Sequence, residues 1–142
     1  MQPAEREEVS ELLEFKENTA AGRMTTDYLY FGSSATVADA IQALGSYEGA
    51  PETLSALYVV DPEEKLVGSV SLASLALARE DTRLPTLISQ PVISCPGSAG
   101  EQEVVELFDK YNLLSLPVVD EAGRLAGVIS ADVVISLLRS KL

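Results

Sequence analysis

Apolar positions along the chain fall into short runs broken by turns, and the runs come in two matching sets. "LYVVDPEEKLVGSVS", Leu57 to Ser71, is an apolar run, an acidic turn and a second apolar run, and "LPVVDEAGRLAGVIS", Leu116 to Ser130, is built the same way. A shift of 59 positions lays Leu57 on Leu116, Val59 on Val118, Val60 on Val119, Asp61 on Asp120, Leu66 on Leu125, Gly68 on Gly127 and Ser71 on Ser130 without a gap. A period of that length holds a whole supersecondary unit.

The surroundings of each copy supply the rest of the unit. "TVADAIQAL" from Thr36 predicts a helix with Thr36 as N-cap, Asp39 at the capping-box position and Val37, Ile41 and Leu44 on one face. "EQEVVELFDKY" from Glu101 predicts its counterpart, with Val104, Leu107, Phe108 and Tyr111 apolar and an acidic first turn suited to the helix dipole. "YLYF" from Tyr28 and "PVIS" from Pro91 read as short strands before these helices, and "LASLALA" from Leu72 and "ADVVISLL" from Ala131 as helices that close each unit.

Each unit is thus strand, helix, strand, strand, helix. Asp61 and Asp120 are expected to bond nearby turn amides, Gly123 to take a left-handed conformation, and "SYEGAPETLSA" to form a surface loop that lengthens the first unit. An α+β fold follows, with two repeats too small to bury their own sheets packed about a pseudo-twofold axis into one core. A pair of clefts should lie between them. Val9, Leu12 and Leu13 give a leader helix that ends over Asn18 to Gly22, so the expected organisation is 1–23 leader helix and linker, 24–80 first repeat and 88–140 second repeat.

Composition narrows the function classes. With 142 residues the chain can bury roughly two thirds of its unfolded surface in about one domain. Its longest uncharged stretches are too short or too broken by proline to span a bilayer, and the first residues are acidic where a signal peptide is basic. The single cysteine, Cys95, cannot form an internal disulfide, and the chain has no His to activate it, so it reads as a buried small hydrophobe. A formal charge of −12 with scattered Lys and Arg disfavours nucleic acid as a partner. The acidic excess attracts hard cations but is ordinarily a solvated surface. No His, no phosphate-loop lysine motif and no paired cysteines leave an enzyme without a site.

The duplicated "VVD", turn and Leu-x-Gly-x-x-Ser pattern from about Met24 to Leu138 resembles a pair of CBS domains, a Bateman module. A narrower resemblance lies in "REEVSELLEFKENTAAGRMTTDYL", Arg6 to Leu29, which is similar to the segment joining the N-terminal domain of MgtE-type magnesium transporters to their first CBS repeat. The resemblance implies a non-catalytic regulatory module, the cytosolic sensor part of an MgtE-like magnesium or divalent-cation transporter that answers ligand or ion by dimer rearrangement. The alternative is a free-standing adenosine-nucleotide sensor regulating a separate partner. Either way the implied form is a cytoplasmic homodimer, at the cytoplasmic face of the inner membrane and beside a transporter membrane domain in the first case, with no insertion of this chain into the bilayer.

The family's nucleotide motif is implied to be Gly, two residues, Ser or Thr, two residues, Asp. This chain reads Gly68, Ser71, Ser74 and Gly127, Ser130, Val133, so both copies lack the aspartate, and Asp132 sits one position early. Losing a charge-assisted pair to a ribose diol costs about 2–3 kcal/mol, or roughly a hundredfold in affinity. A nucleotide site is expected to use Ser130, Asp132, Pro117, Val92 and Ser71, with helix N-capping as the competing role for the serines. At positions matching the family's ion ligands the chain offers Asn112, Val133, Ser136 and Lys141, mostly not carboxylates, so the metal ligands are unknown. The expected cofactor is none certain, with Mg²⁺ or an adenosine nucleotide as candidates.

Overall fold

A computed structural model describes residues 18–49 and 54–140. The stripe of Val9, Leu12 and Leu13 expected to form the leader helix lies outside the described residues. Helix α1 spans Ala20–Arg23, overlapping the stretch from Asn18 to Gly22 over which the leader helix is expected to end. The first repeat follows as β1 (Tyr30–Gly32), α2 (Val37–Gly45), β2 (Ala56–Val60), β3 (Leu66–Ser71) and α3 (Leu72–Leu77). A 3₁₀ turn at Leu84–Leu87 leads into β4 (Cys95–Pro96), α4 (Glu101–Tyr111), β5 (Ser115–Val119), β6 (Leu125–Ser130) and α5 (Ala131–Ser140). Among the described residues, no helix is long and apolar enough to cross a membrane.

The two repeats form separate three-stranded sheets of one topology, β1-β2-β3 and β4-β5-β6, each with a parallel and then an antiparallel pair. Even the irregularities match, since both hairpins shift register at the same place, between Val59 and Val60 and between Val118 and Val119. Strand β4 begins at Cys95, four residues past the start expected from "PVIS" at Pro91. Parallel pairing decides it: Cys95 opposite Val118 repeats Phe31 opposite Val59, and residues 91–94 run free of the sheet.

Local chemistry explains the helices. Thr36 and Asp39 form the expected capping box, the Thr36 amide donating to Asp39 Oδ2 at 2.9 Å and the Asp39 amide to Thr36 Oγ1 at 3.3 Å. The buried face of α2 is Val37 and Ala40, with Leu44 packed beside them, whereas Ile41 is largely exposed. In α4 Val104 and Phe108 are buried, and Asn112 ends the helix in the left-handed region at φ 55°.

The interior is two cores rather than the single one expected. Leu57, Val59 and Val70 pack under α2 and α3 with Leu84, and Leu116, Val118 and Ile129 pack under α4 and α5 with Cys95 and Ala20. Each repeat buries its own sheet because it borrows a cap from outside itself. The turn preceding the second repeat closes the first sheet, where the Leu84 amide donates to the Ala35 carbonyl at 2.9 Å. In the same way the helix preceding the first repeat closes the second sheet, where the Ala20 amide donates to the Ala99 carbonyl at 2.8 Å.

Gly68 and Gly127 are the contact points for these caps. A Cβ on Gly68 would meet Ile88 Cδ1 at 2.6 Å, and one on Gly127 would meet Met24 Cγ at 2.7 Å. Cys95 is buried as expected, and burial, with Glu103 nearby, pushes its thiol up to about 11. At neutral pH it is protonated and a poor nucleophile.

The sheets meet through their remaining faces. The hairpin tips join across the pseudo-twofold axis, the Leu66 amide donating to the Gly123 carbonyl at 3.0 Å and the Leu125 amide to the Glu64 carbonyl at 3.3 Å. Gly123 takes the expected left-handed conformation at φ 83°, and Glu64 holds the equivalent place at φ 69°. Asp61 Oδ1 accepts from the amides of Glu63 and Lys65, and Asp120 Oδ1 from those of Ala122 and Arg124, as the turn reading requires.

Candidate functional site

One side of the seam between the repeats opens into a cleft of about 460 Å³. Its first wall is the end of β3 and the start of α3, presenting Ser69, Ser71 and Ser74. The opposite wall is Ser115 and Pro117 of β5 with Tyr111 and Leu113 at the end of α4. The extended stretch from Ser89 to Ile93 closes the third side.

Strand alternation builds both walls. Leu57, Val70 and Leu116 point into the helix-covered cores, so their neighbours Tyr58, Ser69, Ser71, Ser115 and Pro117 must face the seam. Tyr58 and Ser115 share a hydrogen bond at 2.7 Å that ties one repeat to the other beside the cleft. Burial pushes the Tyr58 phenol above its ordinary value, partly offset by that bond. Tyr28 packs edge-on against Tyr58 with ring centroids 6.3 Å apart, and its phenol is raised by burial and then by Tyr30 and Glu64.

Of the five residues expected to hold a nucleotide, Ser71, Val92 and Pro117 come together in this cleft. Ser130 and Asp132 stand apart from it. Ser130 is 7% exposed and its hydroxyl donates to the Asp132 carboxylate. Ser71 also acts as an N-cap, accepting from the Ser74 amide at 3.1 Å, so its capping and lining roles coexist.

Tyr58, Ser69, Ser89 and Ser115 were not among the expected residues. Their signal was present: Ser69 and Ser71 alternate with Val70, and Ser115 alternates with Leu116, which marks a polar face on strands otherwise apolar. Among the described residues, no three His, Cys, Asp or Glu side chains stand close enough to hold a metal ion. Asn112, one position matching a family ion ligand, instead serves as the left-handed end of α4.

A profile described as CBS domain matches residues 20–81 and 86–140. The chain belongs to the CBS-domain family. As a CBS pair it is 33% identical over 141 residues to the magnesium transporter MgtE of Thermus thermophilus, covering 99% of this chain and 31% of the relative. It is 31% identical over 131 residues to that of Enterococcus faecalis, covering 92% and 29%. The chain therefore spans about a third of the length of these curated relatives.

Among solved structures, the cytosolic domain of the Mg²⁺ channel MgtE in complex with ATP superposes with a TM-score of 0.82 at 33% identity, over 96% of this chain and 55% of the other. A cystathionine beta-synthase pair domain from Shewanella oneidensis shares the fold, with a TM-score of 0.79 at 21% identity over 99% of this chain and 81% of the other. These likenesses agree with the tandem-repeat architecture and with the resemblance carried by Arg6 to Leu29.

Proposed function

We propose that this CBS pair is the regulatory part of an MgtE-like magnesium or divalent-cation transporter, that it works as a homodimer at the cytoplasmic face of the membrane, and that its seam cleft takes an adenosine nucleotide. Occupancy of the cleft sets how the two repeats, and through them the two protomers, are oriented. The module transmits a state and carries out no reaction.

The observation that carries this reading is the reach of the similarity to MgtE, which covers 99% of the chain and so extends beyond the ranges common to CBS domains. The cleft adds a place for the ligand. Its volume falls in the range of small-molecule sites, and it offers apolar walls at Val92, Ile93 and Pro117 beside serine hydroxyls.

The test is to graft residues 1–142 in place of the corresponding segment of the Thermus thermophilus transporter and measure Mg²⁺ uptake against internal Mg²⁺. Uptake that is still restrained as Mg²⁺ rises supports the reading. Uptake that is restrained identically when the segment is deleted overturns it. Calorimetry with AMP, ADP and ATP tests the ligand separately, and no heat at millimolar concentration removes the nucleotide.

A further inference from the structure

The cleft is polar yet uncharged, and that combination selects a class of ligand. Ser71, Ser74, Ser89, Ser115 and Tyr111 supply hydroxyls and Gln90 a carboxamide, and none of the described lining residues is Lys, Arg, Asp or Glu. We propose that the cleft recognises the nucleoside part of its ligand and leaves phosphates outside, so that it takes a neutral nucleoside or nucleoside monophosphate in preference to a triphosphate. This rests on the reading of the cleft as an adenosine-ligand site and specifies what that site reads.

Three observations favour it. Phosphate recognition ordinarily uses Arg or Lys, a metal ion, or free amides at a helix start. Two of the three amides that open α3 toward the cleft are already engaged, Leu72 with the Ser55 carbonyl at 3.5 Å and Ser74 with Ser71 Oγ at 3.1 Å. The cation next to the lining, Lys110, holds its Nζ 5.2 Å from the centre of the Tyr111 ring.

The third observation is the charge of the whole chain, −12, which opposes the approach of a polyanion and scarcely affects a neutral ligand. Hydroxyls suit the neutral half of a nucleotide. A serine hydroxyl has one donor and two acceptor sites, so Ser71, Ser74 and Ser115 keep capacity beyond the bonds they make to one another and to Tyr58, and with Ser69 and Ser89 they match ribose hydroxyls and base edges without a fixed charge, while Val92, Ile93 and Pro117 offer an apolar wall to a flat base.

The experiment is calorimetry on the purified chain with adenosine, AMP, ADP and ATP, in EDTA at low salt and again at physiological salt. Adenosine and AMP should bind within a few-fold of each other, with ATP about tenfold weaker or more at low salt, and the gap should narrow as salt screens the phosphates. Lys110→Gln should leave the ratio of ATP to adenosine affinity unchanged. ATP binding as tightly as adenosine in EDTA, or a selective loss of ATP in Lys110→Gln, overturns the proposal and leaves the nucleotide site standing. No heat with any of the four ligands overturns both.

Discussion

The two repeats start their closing helices from the same sequence, Gly68-x-x-Ser71 and Gly127-x-x-Ser130, yet only the first faces the 460 Å³ cleft. The difference lies in what runs alongside. After Met24 covers Gly127, the chain stays on the second sheet: the Thr25 amide donates to the Val128 carbonyl at 2.8 Å and the Val128 amide donates back at 3.0 Å. After Ile88 covers Gly68, the next residue, Ser89, lines the cleft together with Ser69. A pair of backbone hydrogen bonds thus holds one linker on its sheet where the other runs along the cleft. Duplicated sequence does not guarantee duplicated surroundings.

The largest expected effects test whether the repeats are equal in their cores. Leu57→Ala and Leu116→Ala should each cost about 2–5 kcal/mol, since both leucines are fully buried under equivalent helices. Urea unfolding followed by far-ultraviolet circular dichroism should show one transition for each variant, because the caps and hairpin tips are exchanged between repeats. Two separated transitions would show that the exchange does not couple them.

Binding should then separate the repeats. Ser74→Asp restores the motif carboxylate at the open cleft and should tighten adenosine binding by roughly a hundredfold, or about 2–3 kcal/mol, as a charge-assisted pair to the ribose is gained. Asp132→Asn, away from that cleft, should leave calorimetric affinity unchanged.

The glycines under the caps come next. Gly68→Ala and Gly127→Ala should each destabilise by about 1–3 kcal/mol through overpacking. Each new Cβ would meet three atoms of one side chain, and the Gly127 change should be the milder because unbranched Met24 can swing aside where β-branched Ile88 cannot.

Smaller still are the hairpin turns. Gly123→Ala should cost about 1 kcal/mol at its positive φ, whereas Glu64→Gly should be neutral or gain less than about 1 kcal/mol, relief of strain being offset by a freer unfolded chain. The thermal melt should fall for Gly123→Ala and hold or rise slightly for Glu64→Gly.

The least effect is titration of Asp120. Amide donation from Arg124 above all holds its carboxyl below the ordinary 3.8. A depressed folded value means that its contribution is present above the unfolded value and lost as pH falls through the lowered one. Asp120→Asn should flatten only that acid limb of stability against pH.

Much of this architecture was legible because local patterns decided it. The capping box at Thr36, the Asp61 and Asp120 turns and the span of α4 all rest on contacts within a few residues. The strand lies at Cys95 and not at Pro91 because two residues of parallel pairing leave almost no periodic trace, and the apolar "PVI" that suggests a strand lines the cleft instead. Ile41 was assigned to the buried face by helical spacing, but small Ala40 is what fits beneath the sheet.

The sequence by itself determined the duplication, the order of elements in each half, the hairpin turns and the absence of the motif aspartate, since each is carried by residue type and short spacing. Tertiary structure decided which linker pairs with the neighbouring sheet, that each half is closed by the segment preceding the other, and that Ser71, Val92 and Pro117 share a cleft while Ser130 and Asp132 stand apart from it. Those outcomes depend on backbone pairing between segments far apart along the chain, where residues as unlike as Met24 and Ile88 do the same work and Thr25 and Ser89 do not.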